Sequence, residues 1–106
     1  MSTQLSLLYV TFPSEEEAIK ITHELIEKKF VACINILGSI KSVYRWNETT
    51  HTSEEVAVLL KTTKKQVPST ITALQELHPY DTPAILEIPI DQAADPFRQW
   101  VLDSVE

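Results

Sequence analysis

The 106-residue chain contains a single glycine, Gly38, and a single cysteine, Cys33. Loops that cradle phosphates bring backbone close to the ligand and need glycine to do so, which excludes P-loop and dinucleotide fingerprints and any nucleotide cofactor. One thiol cannot form an intrachain disulfide, and the first residues lack the basic flank and apolar run of a signal peptide, so a reducing cytoplasm is the expected compartment. Basic residues are also few: nine Lys and Arg stand against 15 Asp and Glu, a formal net charge of -6. Neutralising phosphates takes clustered Lys and Arg, so nucleic acid is not an expected partner, and attraction of cations is the electrostatic bias. No stretch approaches the roughly 20 apolar residues of a membrane helix. With 43% hydrophobic and 23% charged residues, the chain is expected to form one globular domain over 1–106.

What is present is organised around residues 31–62. Two β-branched, apolar runs flank a polar centre at 47–53, the pattern of a hairpin with a loose turn. The first run, from Val31 to Trp46, would span about 50 Å at roughly 3.3 Å per residue, several times the radius of gyration of about 13 Å of a 100-residue domain. The hairpin should therefore overhang its own domain, with Tyr44 and Trp46 near its tip. Unpaired ribbon edges are rarely left open, and the ribbon is read as an assembly device. Gly38 inside the long strand predicts a bulge that lets the outer half bend away.

The other elements follow from their ends. Residues 5–12 read as a buried strand closed by Pro13. Ser14 and Glu17 fit a capping box, and the helix behind them presents Ala18, Ile19, Ile21, Thr22, Leu25 and Ile26 on one side. The return strand runs from Glu54 to Thr62, with Lys61 at its inner end. Pro68 restricts the second helix to a start near Gln66, and His78-Pro79-Tyr80 ends it. A last strand at 83–90 alternates Ala84, Leu86, Ile88 and Ile90 on one face, and Pro89 places it at an edge. Asp95 and Pro96 are predicted as cap and first turn of a closing helix. The order β-α-β-β-α-β-α gives an α+β, ferredoxin-like sandwich: an antiparallel sheet, two helices on one face, a protruding hairpin and an extra C-terminal helix.

Chemistry-bearing residues are sparse. Cys33, His23, His51 and His78 are the soft-metal candidates, and no CxxC, HxxH or HExxH spacing occurs, so a metal site must be assembled across space or across subunits. Cys33 reads as a small buried hydrophobe, His23 as solvated on a helix face, and His51 as solvated in the hairpin turn. His78, at a helix end whose dipole favours the protonated ring, reads equally as a cap and as a functional group. Lys61 reads as a snorkelling strand end or as the cation that holds an anionic ligand. Tyr44, Trp46 and Tyr80 read as interface packing. No Ser-His-Asp arrangement can be argued, and no nucleophile is offered.

The segments YVTFPSEEEA, VACINILGSIKSVYRW, EEVAVLLKTT and LHPYDTPAILEIPI, followed by the Trp100 helix, together resemble the divalent-cation tolerance protein family, CutA, over nearly the whole chain. The matching positions are Thr11, Pro13, Ala32, Cys33, Asn35, Ser42, Tyr44, Trp46, Glu55, Lys61, Thr62, His78, Pro79, Tyr80, Pro83 and Trp100. The resemblance implies a cytoplasmic homotrimer similar to PII signalling proteins, with hairpins paired between subunits, and a link to tolerance of divalent cations, copper above all. Copper ligands proposed for some bacterial members fall at Val10, Leu77 and His78, of which only His78 is retained. A frequent glycine of the family is Glu48, and a frequent glutamate is Ala84. The function expected is a non-enzymatic homotrimer that binds Cu(II) or another divalent cation weakly, or a small anionic ligand, in inter-subunit clefts. Lys61, His78 and Tyr80 are its expected cleft contacts, His78 and Cys33 its expected metal ligands, and Tyr44 and Trp46 its trimer contacts. The rival expectations are a small-metabolite enzyme with Lys61 as cation and His78 as acid or base, and a PII-like scaffold for a protein partner.

Overall fold

The computed structural model describes residues 3–106; the first two positions of the expected 1–106 domain lie outside it. Four strands and three helices run in the order β1 (Leu5–Phe12), α1 (Glu15–Glu27), β2 (Cys33–Trp46), β3 (Thr49–Thr63), α2 (Val67–Leu77), β4 (Ile85–Pro89) and α3 (Asp95–Ser104), with one 3-10 turn at Lys64–Gln66 before α2. The sheet order is β2-β3-β1-β4, and every pairing is antiparallel.

One face of the sheet is covered. Leu8, Val10 and Phe12 of β1 and Val56, Val58 and Leu60 of β3 pack against Ala18, Ile21 and Leu25 of α1 and Val67 and Leu74 of α2. Alternation along the strands sends Leu7, Tyr9, Thr11, Ala57, Leu59 and Lys61 to the opposite face. At one end of that face, Val101 of α3 and Val105, just past its end, pack against Leu5 and Ala32.

Local signals place the helix ends. The Ser14 side chain accepts from the Glu17 backbone N–H at 3.2 Å, and three glutamates occupy the positive end of the dipole. The buried stripe of α1 is narrower than expected: Ala18, Ile21, Thr22 and Leu25 are buried, whereas Ile19 and Ile26 are exposed. Pro68 sits in the first turn of α2, after a 3-10 turn capped by Thr63. Asp95 is not the cap of α3; Ala94 holds that position without a side-chain bond, and Asp95 is the first helical residue. β4 pairs only with β1 and forms an edge, as Pro89 requires. Its apolar alternation does not face the main core. Ile85, opposite Val10, packs there, while Leu86 and Ile88 lie on the other face and are exposed.

The hairpin overhangs. β1 pairs with β3 from Leu5 opposite Thr63 out to Phe12 opposite Val56, and from Glu55 outward β3 has only β2 beside it. The molecule measures 45 × 27 × 23 Å. The turn is tighter than the sequence suggested: Trp46 pairs with Thr49, leaving Asn47 and Glu48 as a two-residue turn, both at positive φ, 51° and 63°. That is the backbone of a type I′ turn, whose twist matches the ribbon. An L side chain pays a steric penalty there, which glycine avoids. Glu48→Gly is expected to stabilise the protein by about 0.5–1 kcal/mol, read as an increased urea midpoint at unchanged m-value.

Candidate functional site

A cleft of about 740 Å³ opens where the overhanging ribbon leaves the sheet. Tyr9 and Thr11 form its floor, Ser42, Tyr44, Trp46 and Glu55 its ribbon wall, and Tyr80, Asp81, Thr82 and Ala84 its loop wall. A bulge puts the aromatic side chains there. Ile36 pairs with Val58 but Gly38 pairs with Ala57, so Leu37 is an extra, unpaired residue. Inward of it, Cys33 and Asn35 share the face of Lys61 and Leu59; outward of it, Ile40, Ser42, Tyr44 and Trp46 take that face in register with Glu55, Ser53, His51 and Thr49. Gly38 itself has φ 117°, a conformation that disfavours any other residue.

The loop wall is buttressed from beneath by His78. Its ring is buried, stacked on Phe12 with centroids 4.8 Å apart and tilted against Tyr80 at the same distance. Nδ1 accepts from the Tyr80 backbone N–H at 3.2 Å, so the proton resides on Nε2, which donates to the Thr11 carbonyl at 2.7 Å. Both nitrogens are spent. Burial holds the pKa of this ring below the ordinary 6.5, outweighing the Thr11 hydrogen bond and the charges of Glu55 and Glu17, which pull it upward. The expectation of a dipole-stabilised imidazolium is thus corrected: desolvation wins over the helix end.

The linkage sign follows. The unfolded chain binds a proton at His78 near the ordinary pKa of 6.5 while the folded chain resists it, so this contribution to stability is complete above that pH and declines as pH falls below it. Urea unfolding at pH 7.5, 6.5 and 5.5 should show the decline, and His78→Gln should flatten it. On the other side of the scale, burial, a hydrogen bond to Glu55 and its negative charge push the Tyr80 phenol up to about 12.

Lys61 is not in this cleft. It pairs with Leu7 and Cys33, four positions along β3 from Ala57, the partner of Thr11, or about 13 Å at the rise of a strand. Its ammonium donates to Asn35 Oδ1 and lies 5.9 Å from the centroid of the Phe97 ring. α2 explains the separation: it starts just after the inner end of β3 and carries the chain back about 16 Å over its 11 residues. His78 and Tyr80 therefore emerge at the outer end. Of the three expected contacts, only Tyr80 lines the cleft, His78 supports it, and an anion would find no Lys, Arg or His among the lining side chains. Tyr44 and Trp46, read as interface residues, line it while remaining exposed. His51 is a strand residue, exposed and stacked on Tyr44 at 5.7 Å. Glu55, Asp81 and Tyr9 were missed as site residues; the register beyond the bulge is the signal for Glu55, which was in the family set, whereas Asp81 on its loop and Tyr9 on β1 carry none.

The chain covers the CutA1 divalent ion tolerance protein family over residues 6–104. It belongs to that family. The divalent-cation tolerance protein CutA of Archaeoglobus fulgidus is 36% identical over 101 residues, 95% of this chain and 98% of that one. Human Protein CutA is 31% identical, and the chain spans 57% of its length. A CutA1 crystal structure from Ehrlichia chaffeensis is 45% identical with a TM-score of 0.91, covering 98% of this chain and 96% of that one. A second, from Archaeoglobus fulgidus and described as the periplasmic divalent cation tolerance protein CutA, gives 0.93 at 35% identity, covering 96% and 99%.

The family name makes a divalent metal the ligand to test against these residues. Cys33 lies opposite Lys61, remote from His78, whose nitrogens are occupied. Among the described residues no group of three or more His, Cys, Asp or Glu side chains can hold a metal ion. Copper is best served by imidazole and sulfur donors, and one chain does not assemble them. A metal site that used both Cys33 and His78 would therefore have to be assembled across subunits.

Proposed function

We propose that the chain acts in the cytoplasm as a homotrimer of 1–106 domains without enzymatic chemistry, collecting divalent cations weakly and electrostatically at the clefts beneath its hairpins. The observation that carries this reading is the ribbon, which stands clear of its own domain. The outer edges of β2 and β4 are available for pairing, and Leu37, Val43, Leu86, Ile88, Phe97 and Trp100 are exposed, a surface that further copies would cover. The chain order and the sheet order β2-β3-β1-β4 support the ferredoxin-like reading. The net charge of -6 and the carboxylates Glu54, Glu55 and Asp81 in the cleft favour the divalent cation over the small anionic ligand, the two ligand classes expected. Relatives are named divalent-cation tolerance proteins, which supports a non-enzyme. The unpaired Cys33 supports the cytoplasm.

Sedimentation equilibrium at micromolar concentration should return three times the 12.0 kDa of one chain; a stable monomer removes the reading. In calorimetric titrations with Mn(II) and Cu(II), Asp81→Asn should weaken binding and His78→Gln should not. Tight Cu(II) binding abolished by His78→Gln would reverse the placement.

A further inference from the structure

We infer that a hollow at the inner end of the sheet, remote from the hairpin, binds a small organic monoanion, a carboxylate carried on a short apolar body. This goes beyond the collection of cations, because the hollow is separate from the clefts beneath the hairpins and needs no metal. It encloses about 390 Å³, within the size of cavities that hold small molecules. Its place follows from the strands. Thr63 ends β3 opposite Leu5, the first residue of β1, and these are the two central strands of the sheet, so neither open edge contributes to the lining. Leu102 of α3 and Val105, just past its end, supply the apolar part. At about 100° per residue, Leu102 lies about 160° around the helix from Trp100 and about 140° from Phe97, the exposed rings assigned above to contacts between copies. The flank that lines the hollow is turned away from them.

Unspent donors decide the ligand class. Thr63 is 7% exposed, and its hydroxyl oxygen accepts from the Gln66 backbone N–H at 3.3 Å, but among the described residues its own proton has no acceptor. A buried hydroxyl in that state calls for an acceptor from outside. Lys65 lines the same hollow, and among the described residues its ammonium is in no ion pair. The Lys64 ammonium, in contrast, is 3.3 Å from the Glu87 carboxylate. One uncompensated ammonium and one hydroxyl proton match a single carboxylate. Glu106, also in the lining, adds a negative charge that disfavours a dianion. The walls are set before any ligand arrives: the Lys64 N–H donates to the Gln4 carbonyl at 2.8 Å, the Glu106 N–H to the Lys29 carbonyl at 3.1 Å, and the Gln66 side-chain amide to the Glu106 carbonyl at 2.7 Å. Preorganisation of this kind lowers the ordering cost of binding.

The test uses hexanoate, with 1-hexanol and hexylammonium as the neutral and cationic counterparts, in buffer containing EDTA, so that its outcome is independent of any metal titration. Binding is followed by amide NMR shifts of the full chain. The expected result is saturable hexanoate binding with shifts centred on Thr63, Lys65 and Leu102, and both counterparts at least about tenfold weaker. Lys65→Gln and Thr63→Val should each lose about tenfold in hexanoate affinity, and Glu106→Gln should gain about two- to fivefold by removing a like charge. Lys65 is exposed, so its variant keeps the test intact if Thr63→Val unfolds. No saturable binding, hexylammonium binding as tightly as hexanoate, shifts centred on the hairpin instead, or hexanoate affinity unchanged in Lys65→Gln would overturn the inference.

Discussion

Replacing residues 42–53 by an Asn-Gly turn is expected to convert the proposed trimer into a folded monomer. Lys41 and Glu54 face each other across the ribbon, so a two-residue type I′ turn closes the shortened hairpin without changing the register of what remains. None of the removed residues belongs to the buried core, whose β3 members are Val56, Val58 and Leu60. The fold should therefore survive. What disappears is most of the part of β3 beyond the reach of β1, about 20 Å from Thr49 to Glu55 in the intact hairpin, shortened to its last two residues. A stable interface generally buries more than about 1,000 Å², and the replacement removes exposed Val43, Tyr44 and Trp46 from the surface that further copies would cover. Sedimentation should show mass falling to that of one chain, with cooperative urea unfolding retained. A variant that still sediments as a trimer would move the interface to the open sheet face.

Phe12→Ala is expected to cost about 3–5 kcal/mol, the range for truncating a fully buried aromatic side chain. Phe12 is 0% exposed at the end of β1, packed within the core that joins the sheet to α1 and α2, and it carries the His78 ring on its own. Its removal should also loosen the cleft, because the stack that holds Tyr80 begins there. Urea unfolding at one fixed protein concentration measures the loss, since association shifts apparent stability by mass action. Glu24→Ala, which breaks only the exposed pair with Lys28, serves as the comparison and should change stability by less than about 0.5 kcal/mol. Equal effects of the two substitutions would mean that Phe12 is not the keystone described.

The elements were legible where local chemistry marks their ends. Ser14, Pro13, Pro68, Pro89 and the run from Val56 to Leu60 each carry a signal that survives in the structure. The turn was misread because its two positive-φ positions are held by Asn47 and Glu48 rather than by a residue pair that advertises a hairpin. The sequence places Leu86 and Ile88 on one face of the last strand without saying whether that face is covered, because periodicity does not say which side of a sheet is buried. For the site, Tyr80 was legible, and Lys61 was misplaced. A linear reading puts the end of β3 beside the loop after α2, but an antiparallel return delivers that loop to the opposite end of the strand. His78 was singled out correctly as more than a solvated residue, yet whether a ring binds a ligand or shapes the wall depends on where its two nitrogens point.

Leu37 has no partner across the ribbon, and the side that the outer half of β2 presents depends on its staying out of the ladder. Were Leu37 drawn into the pairing, everything outward of it would slip by one position, and Val43 and Arg45 would stand over Tyr9 while Tyr44 and Trp46 looked out the other way. A one-residue slip would thus exchange an acidic, ring-lined recess for a basic and aliphatic one with no change in composition, so that what the recess presents turns on a single unpaired residue as much as on the side chains that line it.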